Sequence, residues 1–330
     1  MTRARLFTVL RIVLALLVVT AVSIAVARNW AEVSTDIRNI DGSTFALAAL
    51  LVCLPPIFTL LGWRVLLADL GTNLHVAPAG GVFFVGQLGK YLPGAVWSIV
   101  VQAEMGMRLQ IPRRRSAVVA FVTVALAAIA GLLVGMPAVP LLLTRGDSAT
   151  TGWVVLLMVP LLCLVLWPKL LNWLVATVLR VLRREPLERE LSGRAVLGAS
   201  GLFVAAWICS GLHAFVLARG TGVDYDTPAL ALATISGFAL ASSLAMFSVI
   251  LPAGVGVREG LLVLMLAPVT STSAATAVVV LSRFLTVMAD VLFALLGWLY
   301  ARSHHLITTR EEREQDPQQD TVVVDGPTGG

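Results

Sequence analysis

The chain has 330 residues, 58% of them apolar and 13% charged, with a mean hydropathy of +0.90. Soluble domains average about 45–50% apolar and about 25% charged residues, so these values exclude one and predict an all-α integral membrane protein. A net charge of +5 and a pI near 9.6 would suit a nucleic-acid partner. The basic residues cluster between apolar runs, however, where membrane topology accounts for them, and no nucleic-acid partner is expected.

In chain order, Arg3, Arg5 and Arg11 precede an apolar run ending near Ala25-Val26-Ala27, the outline of a secretory signal. The run is long and membrane segments follow it, so an uncleaved first span over 6–27 is expected. Further spans are predicted at 45–67, 116–143, 152–174, 195–218 and 273–300, each near or above the about 17–25 residues a bilayer requires. Pro55-Pro56 and Pro160 predict kinks in the second and fourth. After Pro168-Lys169 the sequence is apolar on one side and ends in arginines, which predicts a helix lying in the cytoplasmic interface. Cys53, Cys163 and Cys209 lie inside apolar runs without metal-ligand spacing and read as reduced packing residues. Residues 1–301 form the membrane domain, and 302–330, polar and without periodicity, are expected to be a disordered cytoplasmic tail.

Two apolar segments are built differently. Residues 80–104 are interrupted by Pro93-Gly94 and carry Lys90 and Glu104; residues 247–261 are interrupted by Pro252-Ala253-Gly254 and continue into Arg258-Glu259. Proline removes a backbone donor and glycine adds freedom, so a helix entering either stretch stops and restarts. The backbone groups so freed must find partners in protein or in a watery cavity, and a pair of broken segments points to a transporter binding site. With both termini cytoplasmic, sixteen of the 24 Lys and Arg fall on cytoplasmic segments and four outside, the bias expected of a plasma (inner) membrane protein. The first broken segment then dips in from the cytoplasm and the second, 229–268, from outside. The layout is about six full spans plus two re-entrant or broken hairpins in an inverted repeat, with eight crossings if 229–251 spans fully.

The motifs Gly86-Gln-Leu-Gly-Lys-Tyr-Leu-Pro-Gly-Ala95 and Leu251-Pro-Ala-Gly-Val-Gly-Val-Arg-Glu-Gly260 resemble the flippase-like membrane domain of lysylphosphatidylglycerol synthases and its stand-alone relatives linked to polyprenyl-linked sugars and other lipids. The resemblance covers about residues 6–301 and rests on those motifs and the hydrophobic layout. Such synthases carry a soluble aminoacyl-transferase domain after the membrane part, whereas this sequence continues there into a short polar tail, so the synthase reaction is not carried over.

Ionisable groups inside a membrane cost about 2.5–3.5 kcal/mol each on insertion scales, which directs attention to Lys90, Glu104, Arg258, Glu259, Arg283 and Asp290. Arg283 and Asp290 are seven residues apart and share one helix face; the expected pairs are Glu259 with Arg283 and Arg258 with Asp290. A phosphate-bearing headgroup needs cationic donors and free helix N-termini in a sheltered slot. Gln87, Lys90, Tyr91, Pro93 and Gly94 from one segment, with Pro252, Gly254, Gly256 and Arg258 from the other, are the candidate binding set. Glu104, Glu259, Arg283 and Asp290 are candidates for charge balance or proton coupling. The bland readings are that Lys90 snorkels to the interface, Glu104 sits at the membrane edge, and the Arg/Glu/Asp set is a structural ion network.

No Gly-x-Ser-x-Gly elbow, P-loop or His-x-x-x-His spacing occurs, and His213 reads as a packed, hydrogen-bonded residue, so no catalytic residue, metal or cofactor is expected. The expected function is translocation of a lipid with an anionic headgroup, phospholipid or polyprenyl-phosphate-linked, between leaflets. The alternatives are a membrane-embedded transferase using Asp224, Asp226 or Glu259 on lipid-linked sugars, and a scaffold for a separate lipid-modifying enzyme; a homo-oligomer is compatible with each.

Overall fold

A computed structural model describes residues 30–91, 97–142, 148–222, 226–246 and 256–304. The expected first span, nearly all of the expected tail, and both Pro-Gly turns, including Pro93, Gly94, Pro252 and Gly254, lie outside the described residues. Among those described, all regular structure is helical. The helices are α1 Trp30–Asn39, α2 Gly42–Asp69, α3 Val76–Gln87, α4 Trp97–Met107, α5 Arg113–Gly135, α6 Ser148–Val165, α7 Pro168–Val181, α8 Gly193–Gly220, α9 Thr227–Met246, α10 Val257–Leu266 and α11 Thr272–Ser303.

Local chemistry sets the boundaries. Asp41 caps α2 by accepting from the amides of Ser43 and Thr44. The helix ends where Gly71 takes φ +92° and the Thr72 amide reaches back to the Leu67 carbonyl, a left-handed stop that glycine adopts without penalty. Asp69 accepts from both the amide and the hydroxyl of Ser192, the residue that caps α8, so the end of α2 holds the start of α8. These two long helices run against each other and form the axis of the molecule.

The core divides along that axis. One cluster takes Leu60, Trp63 and Leu67 from the C-terminal half of α2 and Val196, Ala199 and Phe203 from the N-terminal half of α8, and packs them with α3, α5 and α7. The other takes Ala48 and Val52 from the start of α2 and Ala214 and Leu217 from the end of α8, and packs them with α9, α10 and the first half of α11. The two broken segments therefore attach at opposite ends of one central pair. The first forms a hairpin of α3 and α4 packed on each other.

The helix α9 is longer than a re-entrant arm. It spans 20 residues and is apolar enough to cross a membrane, the length that the eight-crossing variant requires. It accommodates a π-helical bulge at Leu232–Ser236. Opposite the bulge lies Gly211 of α8, where an added Cβ would fall 2.3 Å from the Ile235 Cα. Among the described residues five helices have the length and apolarity of spans, α2, α5 with its 3-10 continuation to Ala138, α8, α9 and α11; α6 and α7 make a sixth if taken as one bent unit.

That bent unit corrects the fourth expected span. The helix breaks by 66° between Val165 and Pro168, short of residue 174, because Pro168 cannot continue α6 and instead opens α7. Leu171, Val175 and Leu179 of α7 are buried, while Trp173 is 59% and Val181 76% exposed. The helix therefore has one apolar face in the core and another facing outward. Pro55 and Pro56, by contrast, stay inside the continuous helix α2.

Candidate functional site

The first broken segment reaches the site along α11. An added Cβ on Gly297 would lie 3.1 Å from the Gly80 carbonyl oxygen, and one on Gly81 would lie 3.6 Å from that of Gly297, so α3 and α11 meet backbone to backbone. Further along, Phe84 stacks on Phe293 at 4.8 Å. The two helices run in opposite directions, and the end of α3, tightened into a 3-10 turn at Leu88–Tyr91, arrives at Asp290. Lys90 Nζ donates to Asp290 Oδ1 at 2.8 Å and lies 2.8 Å from Oδ2, and the Tyr91 hydroxyl donates to the same carboxylate.

The second broken segment reaches the same place from the other side. Gly256, with φ +87°, precedes α10, and its amide donates to Glu259 Oε2 at 2.6 Å. The helix thus caps itself with its own carboxylate. Glu259 Oε1 lies 3.4 Å from Arg283 Nη1 on α11, close enough for charge pairing but not aligned as a hydrogen bond. The guanidinium of Arg258 stands 4.6 Å from the ring centroid of Phe238. That ring is edge-on to His213, whose Nε2 is 2.8 Å from Ser282 Oγ.

Between these groups lies a cleft of about 210 Å³ lined by Gln87, Lys90, Arg258 and Asp290 on its polar side and by Phe83, Phe84 and Phe293 on an aromatic side. Pro55 and Pro56 also line it. Having no N–H, they leave the carbonyls of Leu51 and Val52 without their helical donors, and Val52 also lines the cleft. Ser242, 9% exposed, lines it too, and its hydroxyl has no hydrogen-bond partner among the described residues.

Of the candidate binding residues, the fold brings Gln87, Lys90, Tyr91 and Arg258 together around the charge-balance candidate Asp290, with Gly256, Glu259 and Arg283 beside them. Glu104 stands apart: it pairs with Arg113 at 2.8 Å, both side chains 54% exposed, where α4 leaves the hairpin. The expected pair of Glu259 with Arg283 forms. The expected pair of Arg258 with Asp290 does not, because the glycine-lined packing of α3 on α11 delivers Lys90 to that carboxylate instead. Sequence reasoning missed the aromatic wall, Ser242 and the contribution of Pro55-Pro56; the paired prolines inside an apolar span were the available signal.

A family model described as the lysylphosphatidylglycerol synthase TM region matches residues 9–297. No curated protein matches the chain.

Proposed function

Since this chain belongs to the lysylphosphatidylglycerol synthase transmembrane family, we propose that it is a lipid translocator that moves a phosphate-bearing lipid, phospholipid or polyprenyl-phosphate-linked, between leaflets. The observation that carries the reading is the convergence of Lys90 and Arg258 on one cleft from two broken segments attached at opposite ends of the bundle. Cationic donors in a sheltered slot are what a phosphate needs, and a slot between oppositely attached hairpins is reachable from either leaflet by small movements of each. The aromatic side of the cleft suits the glycerol or isoprenoid stem that follows the headgroup.

In this reading Lys90 and Arg258 hold the headgroup, while Asp290, Glu259 and Arg283 balance their charge. Transport proceeds without nucleotide, down a gradient or coupled to an ion. Both termini face the cytoplasm of a plasma (inner) membrane, as the distribution of Lys and Arg favours. The test is leaflet accessibility of labelled phosphatidylglycerol, its lysylated form and a polyprenyl phosphate in reconstituted vesicles. One of the three is expected to exchange faster than in protein-free vesicles, and Lys90→Ala is expected to slow it by about tenfold or more. Equal exchange with and without protein for all three sinks the reading.

A further inference from the structure

We propose that the cleft selects its lipid by charge, accepting a phosphodiester with one net negative charge, and that Arg258 is the residue that reads it. The inference rests on the translocator reading of the same cleft and adds what that reading leaves open, the class of headgroup.

The charge count is short. Three cations, Lys90, Arg258 and Arg283, meet two carboxylates, Asp290 and Glu259. Lys90 engages both oxygens of Asp290, which also accepts from Tyr91. Glu259 faces Arg283 with one oxygen and accepts the Gly256 amide with the other. Arg258 makes no ion pair among the described residues; its contact is the face of Phe238, although Glu259, Arg283, Asp290 and Tyr91 are all within Coulomb range. Residues 92–96 and 247–255, the two Pro-Gly turns, contain no ionisable side chain and so bring no counter-charge. His213, sealed from solvent and bonded to Ser282, enters as neutral. Among the described residues the sum is one positive charge, held on Arg258 at the cleft wall.

A charge left without a partner in a low-dielectric site is unfavourable, and one monoanion neutralises this one. A phosphodiester supplies that single charge on two non-bridging oxygens that a guanidinium grips with two roughly parallel bonds. A phosphomonoester, which carries about −1.5 to −2 near neutral pH, overfills the site. A zwitterionic headgroup leaves the net charge unchanged and sets its own cation beside Lys90 and Arg258. The hydroxyl of Ser242 at the same wall offers a donor that no group among the described residues uses.

The experiment measures equilibrium binding of short-chain phosphatidylglycerol, phosphatidic acid and phosphatidylcholine to the full chain in detergent at about pH 8, where the monoester is nearly dianionic. Exchange of the same headgroups in vesicles is measured alongside. Phosphatidylglycerol is expected to bind at least about tenfold tighter than either other lipid. Arg258→Gln abolishes that preference and Arg258→Lys retains part of it; the lysine variant also serves if glutamine fails to fold. Binding of phosphatidic acid or phosphatidylcholine as tight as that of phosphatidylglycerol overturns the proposal. So does an Arg258→Gln variant of unchanged melting temperature that weakens all three lipids alike, since Arg258 is then structural. Charge-selective binding without exchange in vesicles retires the translocator and keeps the charge rule; unselective exchange does the reverse.

Discussion

The two broken segments carry the same sequence outline, an apolar run, a Leu-Pro turn with small residues and a nearby cation, yet the fold uses them differently. The first is a short hairpin laid along α11 through glycine contacts, and it commits Lys90 to Asp290. The second has a full-length first arm, α9, and a second arm, α10, whose carboxylate Glu259 closes its own helix start and leaves Arg258 without an ion-paired carboxylate among the described residues. One segment docks its charge while the other keeps one in reserve. A cation beside a helix break does not by itself tell which, because the partner is chosen by what packs across from it.

That contrast can be broken from either side. The largest expected effect is at the buttress of the second segment: Gly211→Val drives a side chain into the backbone of Ile235, where no side chain can rotate away, and costs about 3 kcal/mol. The thermal midpoint in detergent should fall accordingly, and an unchanged midpoint removes the π-bulge contact from the account. Next, Asp290→Ala frees Lys90 and Tyr91 from the first segment's dock. With Lys90 36% exposed, part of the loss is met by solvent, leaving about 1–2 kcal/mol. Glu259→Ala removes both a helix cap and the counter-charge of Arg283, for about 1 kcal/mol, whereas Glu259→Gln keeps an acceptor for the Gly256 amide and should recover much of it.

Smallest of all is Glu104→Gln. Its partner Arg113 is as exposed as Glu104 itself, so stability and lipid exchange should change by no more than about 0.5 kcal/mol or its rate equivalent. A large loss of exchange would restore Glu104 to the site. Acid offers a separate handle on the end where the second segment attaches. The Ser43 hydroxyl, then the Thr44 amide and hydroxyl, hold the Asp41 carboxyl below the usual carboxylate range. A lowered folded value means that the cap contributes above the unfolded value of about 3.9 and is lost as pH falls below it. Asp41→Ala should therefore flatten the acid limb of the melting curve and leave the neutral region parallel to wild type.

Much of the fold was legible in advance. Three expected spans, at 45–67, 195–218 and 273–300, fall inside helices of the required length, and most of 116–143 coincides with a fourth, Arg113–Ala138, since twenty apolar residues in lipid have no other way to satisfy their backbone. The pairing of Glu259 with Arg283 was legible for a similar reason, an embedded charge needing an opposite one. The partner of Asp290 was not. Lys90 and Arg258 are equivalent candidates in the sequence, and the choice rests on glycine contacts between α3 and α11 that no periodicity reveals. The aromatic wall of Phe83, Phe84 and Phe293 was hidden likewise, because in an apolar helix an aromatic side chain reads the same toward lipid, core or cleft.

By itself, the amino-acid sequence determined that the chain lives in a membrane and which few charges interrupt its apolar runs. Those properties follow from transfer free energies and backbone chemistry, which act residue by residue. Only the tertiary structure decided that the helices flanking the two Pro-Gly stretches attach at opposite ends of the α2–α8 pair, that three cations and two carboxylates gather at one cleft, and that among the described residues Arg258 is the cation left over. Such facts depend on which surfaces pack, and packing is settled between residues far apart in the chain.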